Sequence, residues 1–197
     1  MIMKRIVAVF MALSVVFSVY AKDDESRSEV SVTYGQATLP QFAYVMGGVL
    51  GVAFTAGHFT FENSHFLGGV GMECVRYANS WLGFGLAGTF DYMTSDAFSV
   101  DGDGNKTPNG KYNLGFVSVM PVVKFAWLRR PHVGLYTKLG VGAGLALDNG
   151  DTVEENITWA GQVTPIGFDF GSESFRGFVE AGVGMQGLVA AGIRWLF

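Results

Sequence analysis

The chain holds a single cysteine, Cys74. One cysteine makes no intramolecular disulfide and no multi-cysteine zinc site. Its expected role is that of a small apolar residue on a strand. Proline is scarce, with 5 in 197 residues, and only 15% of residues are charged, against about 25% in soluble domains. The formal charge is −4, so the basic patch that nucleic-acid binding favours is missing. Beyond residue 21 there is also no segment with the roughly 20 apolar residues that a spanning helix needs.

Other residues are abundant: 28 Gly, 17 Phe, 7 Tyr and 4 Trp, in a chain that is 49% apolar. An apolar, charge-poor chain without spanning helices has one membrane solution left. In lipid every backbone N–H and C=O must be bonded internally, so only helices and closed barrels span.

The first residues read as a secretory signal peptide. Lys4 and Arg5 form a positive start, Ile6 to Val19 is an apolar run, and small Ala21 precedes Lys22-Asp23-Asp24-Glu25. This is the order of an exported precursor, and the run is too short to span. No cysteine follows it, which disfavours a lipoprotein anchor. Cleavage is expected after Ala21, dividing the chain into a signal peptide (1–21) and one domain (22–197). Loss of Lys4 and Arg5 takes the formal charge to −6.

The rest alternates in polarity between turn-rich breaks, as strands do when they face lipid on one side and a lumen on the other. The final segment, Leu188 to Phe197, is the clearest. Val189, Ala191, Ile193, Trp195 and Phe197 share one face; Leu188, Ala190, Gly192, Arg194 and Leu196 share the other. Segments near 29–36, 66–78, 80–93, 111–127, 132–147, 157–170 and 175–184 follow the same logic, with Pro165 expected to form a bulge. Breaks at Ala78–Ser80, Leu128–Pro131 and Gly171–Ser174 are short, whereas those at Thr94–Gly110 and Asp148–Asn156 are long and polar. That matches short periplasmic turns and longer external loops. Trp81, Trp127 and Trp195 fall at the short-turn end, as an aromatic girdle would.

The expected fold is therefore all-β: a closed, antiparallel, up-and-down transmembrane β-barrel. Eight strands are favoured and ten are possible. The apolar stretch from Phe42 to Ala56, within an external connection 37–65, is read either as a helix packed on the barrel or as a further hairpin. An eight-stranded barrel is only wide enough for side chains. The inward charges Glu73, Asp91, Lys124, Lys138, Glu180 and Arg194 are balanced in sign, which suggests a paired polar filling of the lumen.

Several stretches resemble a known family: EVSVTYG (29–35), ECVRYANSWLGFGLAG (73–88), WLRRPHVGLYTKLGVGAGLAL (127–147), QVTPIGFDFG (162–171) and FVEAGVGMQGLVAAGIRWLF (178–197). Together they look like the outer-membrane β-barrel domain proteins of Bacteroidota-type bacteria, small barrels of the OmpX/OmpA kind. The resemblance implies location in the cell outer membrane of a Gram-negative cell, contact with its lipid, and handling by the barrel-assembly machinery. The C-terminal Ile193, Trp195 and Phe197 resemble the assembly signal that this machinery reads. It implies no activity, because fold does not fix function.

Three motifs mislead. Gly83-Gly85-Gly88 and Gly182-Gly184-Gly187 both spell G-x-G-x-x-G, but a dinucleotide site needs a strand, a turn and a helix within a βαβ unit. Asp101-Gly102-Asp103-Gly104-Asn105 looks like the start of a calcium loop, yet its sixth position is Lys106 and its twelfth Tyr112, so it is no EF-hand. His58, His65 and His132 are the only histidines, and Ser64 beside His65 faces the opposite side of a strand, which gives no nucleophile–base pair. No catalytic, metal or cofactor residue is assigned, and no enzyme is expected. The functional expectation is a structural or surface-interaction barrel acting through external loops 37–65, 94–110 and 148–156, with the extracellular partner open. A small passive channel and a lipid-modifying barrel enzyme are the alternatives.

Overall fold

A computed structural model describes residues 28–54, 59–101, 103, 105–148 and 156–197. The expected signal peptide with its cleavage point, His58 and most of the 148–156 loop lie outside the described residues.

Among the described residues nine strand segments are formed: β1 (Ser28–Gln36), β2 (Phe59–Phe66), β3 (Gly69–Tyr77), β4 (Leu82–Val100), β5 (Lys106–Arg129), β6 (Val133–Asp148), β7 (Asn156–Gly171), β8 (Phe175–Gly184) and β9 (Val189–Leu196). One helix, α1 (Leu39–Phe54), joins β1 to β2. All pairings are antiparallel between neighbours around a ring, and β1 closes on β9 from Glu29↔Leu196 to Gln36↔Val189. At the seam, Ser28 and Phe197 exchange backbone N–H···O bonds of 2.8 and 2.9 Å.

Nine segments make eight staves. β2 and β3 both pair with β4, β2 with its outer part (Phe59↔Ser99 to Phe66↔Met93) and β3 with its inner part (Val70↔Phe90 to Tyr77↔Gly83). They are one stave interrupted at Leu67-Gly68, where Gly68 takes a positive φ of 90°. The extra segment thus lengthens a stave and adds none. Over its described residues, which end at Phe54, the Phe42–Ala56 stretch is helix.

Three expectations are corrected. The external connection expected over 37–65 ends early, because β2 is strand from Phe59 and pairs with the outer part of β4. Residues 94–110 are mostly strand: β4 and β5 continue as a paired hairpin up to Val100↔Lys106. Here the buried inward positions are Ser95 and Ala97 and the outward ones Thr94, Asp96 and Phe98, so polar and apolar residues fall on both faces; the alternation that marks a strand disappears and the segment reads as loop. Leu188, placed on the lumen face, sits in the turn before β9 and is half exposed.

The bulge at Pro165 is present, as register shifts between Val163 and Ile166 on β7 and between Tyr136 and Lys138 on β6. Pro165 has no N–H to give the ladder, and its carbonyl instead accepts from Thr137 Oγ1 at 2.8 Å. A consequence is that inward parity flips along β7. Gln162 and Thr164 point inward before the bulge; Gly167 and Asp169 do so after it.

Candidate functional site

The polarity of the ring is inverted relative to a soluble protein. Outward side chains such as Phe84, Val141, Val163, Val179, Val189 and Ile193 are apolar and exposed. Inward positions hold the charges, and Lys124, Lys138 and Arg194 are among the most deeply buried side chains present. At the short-turn end Trp81 stacks on Phe125 at 6.2 Å, and Trp195 packs edge-on against Phe175 at 4.9 Å. Trp127 donates Nε1–H to Thr137 at 2.8 Å. Trp159, which is 83% exposed, lies near the opposite end of β7.

Register alone would make the lumen repulsive. Lys124 lies directly opposite Lys138 across β5–β6, and Arg176 opposite Arg194 across β8–β9. Like charges in such positions destabilise a sheet. Carboxylates from other staves relieve them. Glu29 (β1) pairs with Lys124 and lies 3.6 Å from Arg194 Nε. Glu73 (β3) and Glu180 (β8) hold Lys138 at 2.9 and 2.8 Å. Asp169 (β7) bridges Arg176 and Arg194 at 2.6 and 2.9 Å.

Tyr136 stands at the centre. Its hydroxyl donates to Glu180 at 2.7 Å and accepts from Arg194 at 2.9 Å, while the Lys124 ammonium lies 3.8 Å from its ring centroid. Arg176 also donates to the carbonyls of Arg130 and Pro131, fastening the short β5–β6 turn to the lumen wall. Four acids and four bases therefore cancel within this network, drawn from every stave except β4.

Of the six charges expected in the lumen, Glu73, Lys124, Lys138, Glu180 and Arg194 meet in this network. Asp91 does not. It sits on β4 nearer the external end, where Thr38 Oγ1 and Gln41 Nε2 donate to its carboxylate, the second at 3.2 Å. Glu29, Asp169 and Arg176 complete the network and were not singled out. Glu29 and Arg176 lie on faces that simple alternation assigns inward. Asp169 lies beyond the Pro165 bulge, where parity has flipped.

The outer lumen is closed by uncharged groups. Met185 and Gln186, in the β8–β9 turn, are buried, and Gln186 N–H donates to Gln162 Oε1 at 2.8 Å. Thr38 and Gln41 begin α1 over Asp91, and Tyr44 hydrogen-bonds Ser95 and packs with Phe66 and Tyr112. The second glycine motif runs through this turn, with Gly184 and Gly187 at positive φ and no helix after it; the first lies inside β4.

At the hairpin tip Asp101 Oδ1 accepts the N–H groups of Asp103 and Asn105 at 3.0 and 2.8 Å. Its carboxylate ties the turn. Among the described residues no cluster of His, Cys, Asp and Glu is arranged to hold a metal ion. His65, exposed on β2, and His132, at the β5–β6 turn with Nδ1 3.0 Å from Gly171 O, lie at opposite ends of the barrel.

Fold and inverted polarity together define the class: a small, closed, eight-stave β-barrel of the kind that crosses an outer membrane. No protein-family model matches the chain, and no curated protein matches it. Among solved structures the chain is similar to the Yersinia pestis outer membrane protein Ail in a phospholipid bilayer nanodisc, with 18% identity over 88% of this chain and 100% of that one and a TM-score of 0.38. It is also similar to the crystal structure of Yersinia pestis Ail, the attachment invasion locus protein, in complex with the heparin analogue sucrose octasulfate. There the identity is 14% over 87% of this chain and 95% of that one, and the TM-score is again 0.38.

Proposed function

We propose that the chain is an exported barrel of a Gram-negative outer membrane, of the small Bacteroidota type, and that it works as a surface-interaction scaffold and not as a pore or an enzyme. The observation that carries this reading is the neutral network across the lumen. Four buried bases and four buried acids, held at 2.6–2.9 Å wherever the contact is direct and of ordinary length, occupy the space a solute would need. Buried charges separated from their partners are costly, so the filling resists displacement by ions. In planar bilayers the purified protein is expected to insert without stepwise conductance. Reproducible single-channel steps would instead favour the passive channel. A lipid-modifying activity gains no support from His65 and His132, which the barrel holds at opposite ends.

The interaction surface would be the outer part of the β4–β5 hairpin together with the acidic stretch that follows β6 in the sequence. Across residues 94–111 and 148–156 it carries Asp96, Asp101, Asp103, Asp148, Asp151, Glu154 and Glu155 against only Lys106 and Lys111. Such a surface selects basic partners. Binding of cells displaying the protein to an immobilised basic peptide should weaken as salt is raised, since exposed charges are screened within about 8 Å at physiological ionic strength. Equal binding to basic and acidic peptides would discard this part of the reading.

A further inference from the structure

The wall of the barrel is uneven. β9 has 8 residues and β8 has 10, whereas β4 has 19 and β5 has 24. At about 3.3 Å per residue and a tilt near 40°, β9 rises only about 20 Å, less than the apolar band of about 25 Å. β1, β9 and β8 thus form a notch between two taller neighbours. Both neighbours reach it with open edges: Asn156–Ala160 of β7 form ladder pairs with β6 and not with β8, and β2 pairs only with β4. A bare strand edge is not tolerated in hydrocarbon, because its N–H and C=O groups have no partner there.

α1 starts at the notch, separated from the end of β1 by Ala37 and Thr38, and lies against β2. It satisfies its own backbone and contains no Asp, Glu, Lys or Arg. Its two faces differ. Gln41 and Tyr44 turn toward the lumen mouth, on Asp91 and Ser95. Leu39, Phe42, Val45, Met46 and Val49, which share a helical stripe, are exposed, Phe42 at 62%. This stripe continues the lipid-facing surface of the barrel. Leu188, whose N–H donates to the carbonyls of Gln36 and Ala37, is exposed beside the helix start, and so are Val189, Tyr34 and Leu67 around the rim.

We propose that the exposed stripe of α1 is a lipid-contacting wall. The helix replaces the missing upper parts of β8, β9 and β1, shields the open edge of β2, and presents Phe42, Val45, Met46 and Val49 to the acyl chains of the outer leaflet. Its inner face meanwhile caps the lumen. This wall presupposes the membrane reading of the barrel, and continuity with that barrel's lipid face selects lipid as the occupant.

The test is nitroxide labelling of the full chain, isolated from membranes into phospholipid vesicles. Cys74→Ala removes the native thiol, and single labels are placed by Phe42→Cys, Val45→Cys or Val49→Cys. Val189→Cys reports the barrel's lipid face and Asp103→Cys the aqueous hairpin tip. Unboiled gels confirm that each variant is folded. The helix labels are expected to collide with oxygen in preference to a water-soluble nickel chelate, as the Val189 label does. Nickel-favoured collisions on the helix, matching the Asp103 label, would overturn the proposal. So would protection from both reagents, which would place a second copy or a protein partner on the stripe. If the Val189 label itself favours nickel, the membrane reading of the barrel has failed, and the proposal with it.

Discussion

Lys138→Met is expected to lower stability by about 3–5 kcal/mol, the cost of breaking a buried ion pair by removing one partner. Lys138 is the cation within direct salt-bridge distance of both Glu73 and Glu180, and all three side chains are almost fully buried. Methionine retains the length and apolar stem but leaves two carboxylates facing each other in a water-poor lumen. Chemical unfolding in detergent micelles, followed by the shift between folded and unfolded gel bands, measures the loss. Adding Glu73→Gln and Glu180→Gln should recover most of it, because a neutral, well-filled lumen no longer needs the cation. A loss below about 1 kcal/mol for Lys138→Met, the range of exposed pairs, would mean that these carboxylates are solvated.

Gly167→Leu is expected to be at least as damaging, for a steric reason. A Cβ at Gly167 would lie 2.3 Å from Cε2 and 2.4 Å from Cζ of the Tyr136 ring. The ring must leave, taking with it the hydroxyl bonds to Glu180 and Arg194 and the face that Lys124 rests on. Overpacking alone costs about 1–3 kcal/mol, and the lost hydrogen bonds add to that. Gly161→Ala on the same strand is the control, since the nearest atom to its Cβ would be Gly140 O at 3.8 Å. It should stay within about 0.5 kcal/mol of the parent. Equal effects from the two substitutions would show that the glycines serve backbone needs alone and that the Tyr136 ring needs no room at Gly167.

Much of this arrangement was legible because lipid and lumen impose opposite demands on adjacent residues. Alternation put Phe84 and Tyr92 outside and Thr89 and Asp91 inside, and it placed Lys124, Lys138, Glu180 and Arg194 on the lumen side of their strands. The signal ends part-way along β4. Thr94 to Val100 is strand, yet its sequence carries no sign of it, because Asp96 lies outward with Phe98 and Ala97 inward with Ser95, so polar and apolar residues mix on both faces. It also fails across a bulge. Asp169 shares no simple parity with Gln162, although both point inward, so the acid that bridges two arginines was passed over. The Phe42–Ala56 stretch was undecidable by hydrophobicity, being apolar on all sides of a helix. Its resolution depended on the notch above β8, β9 and β1, a feature of strand lengths that no single segment reveals.

The most direct test of the central claim, a closed membrane barrel with a charge-filled lumen, is to refold residues 22–197 in detergent and run them on a gel with and without boiling, alongside circular dichroism. The account predicts a β-rich spectrum and a folded band that shifts on boiling. A single band unaffected by boiling, from a protein that stays monomeric and soluble without detergent, would contradict it.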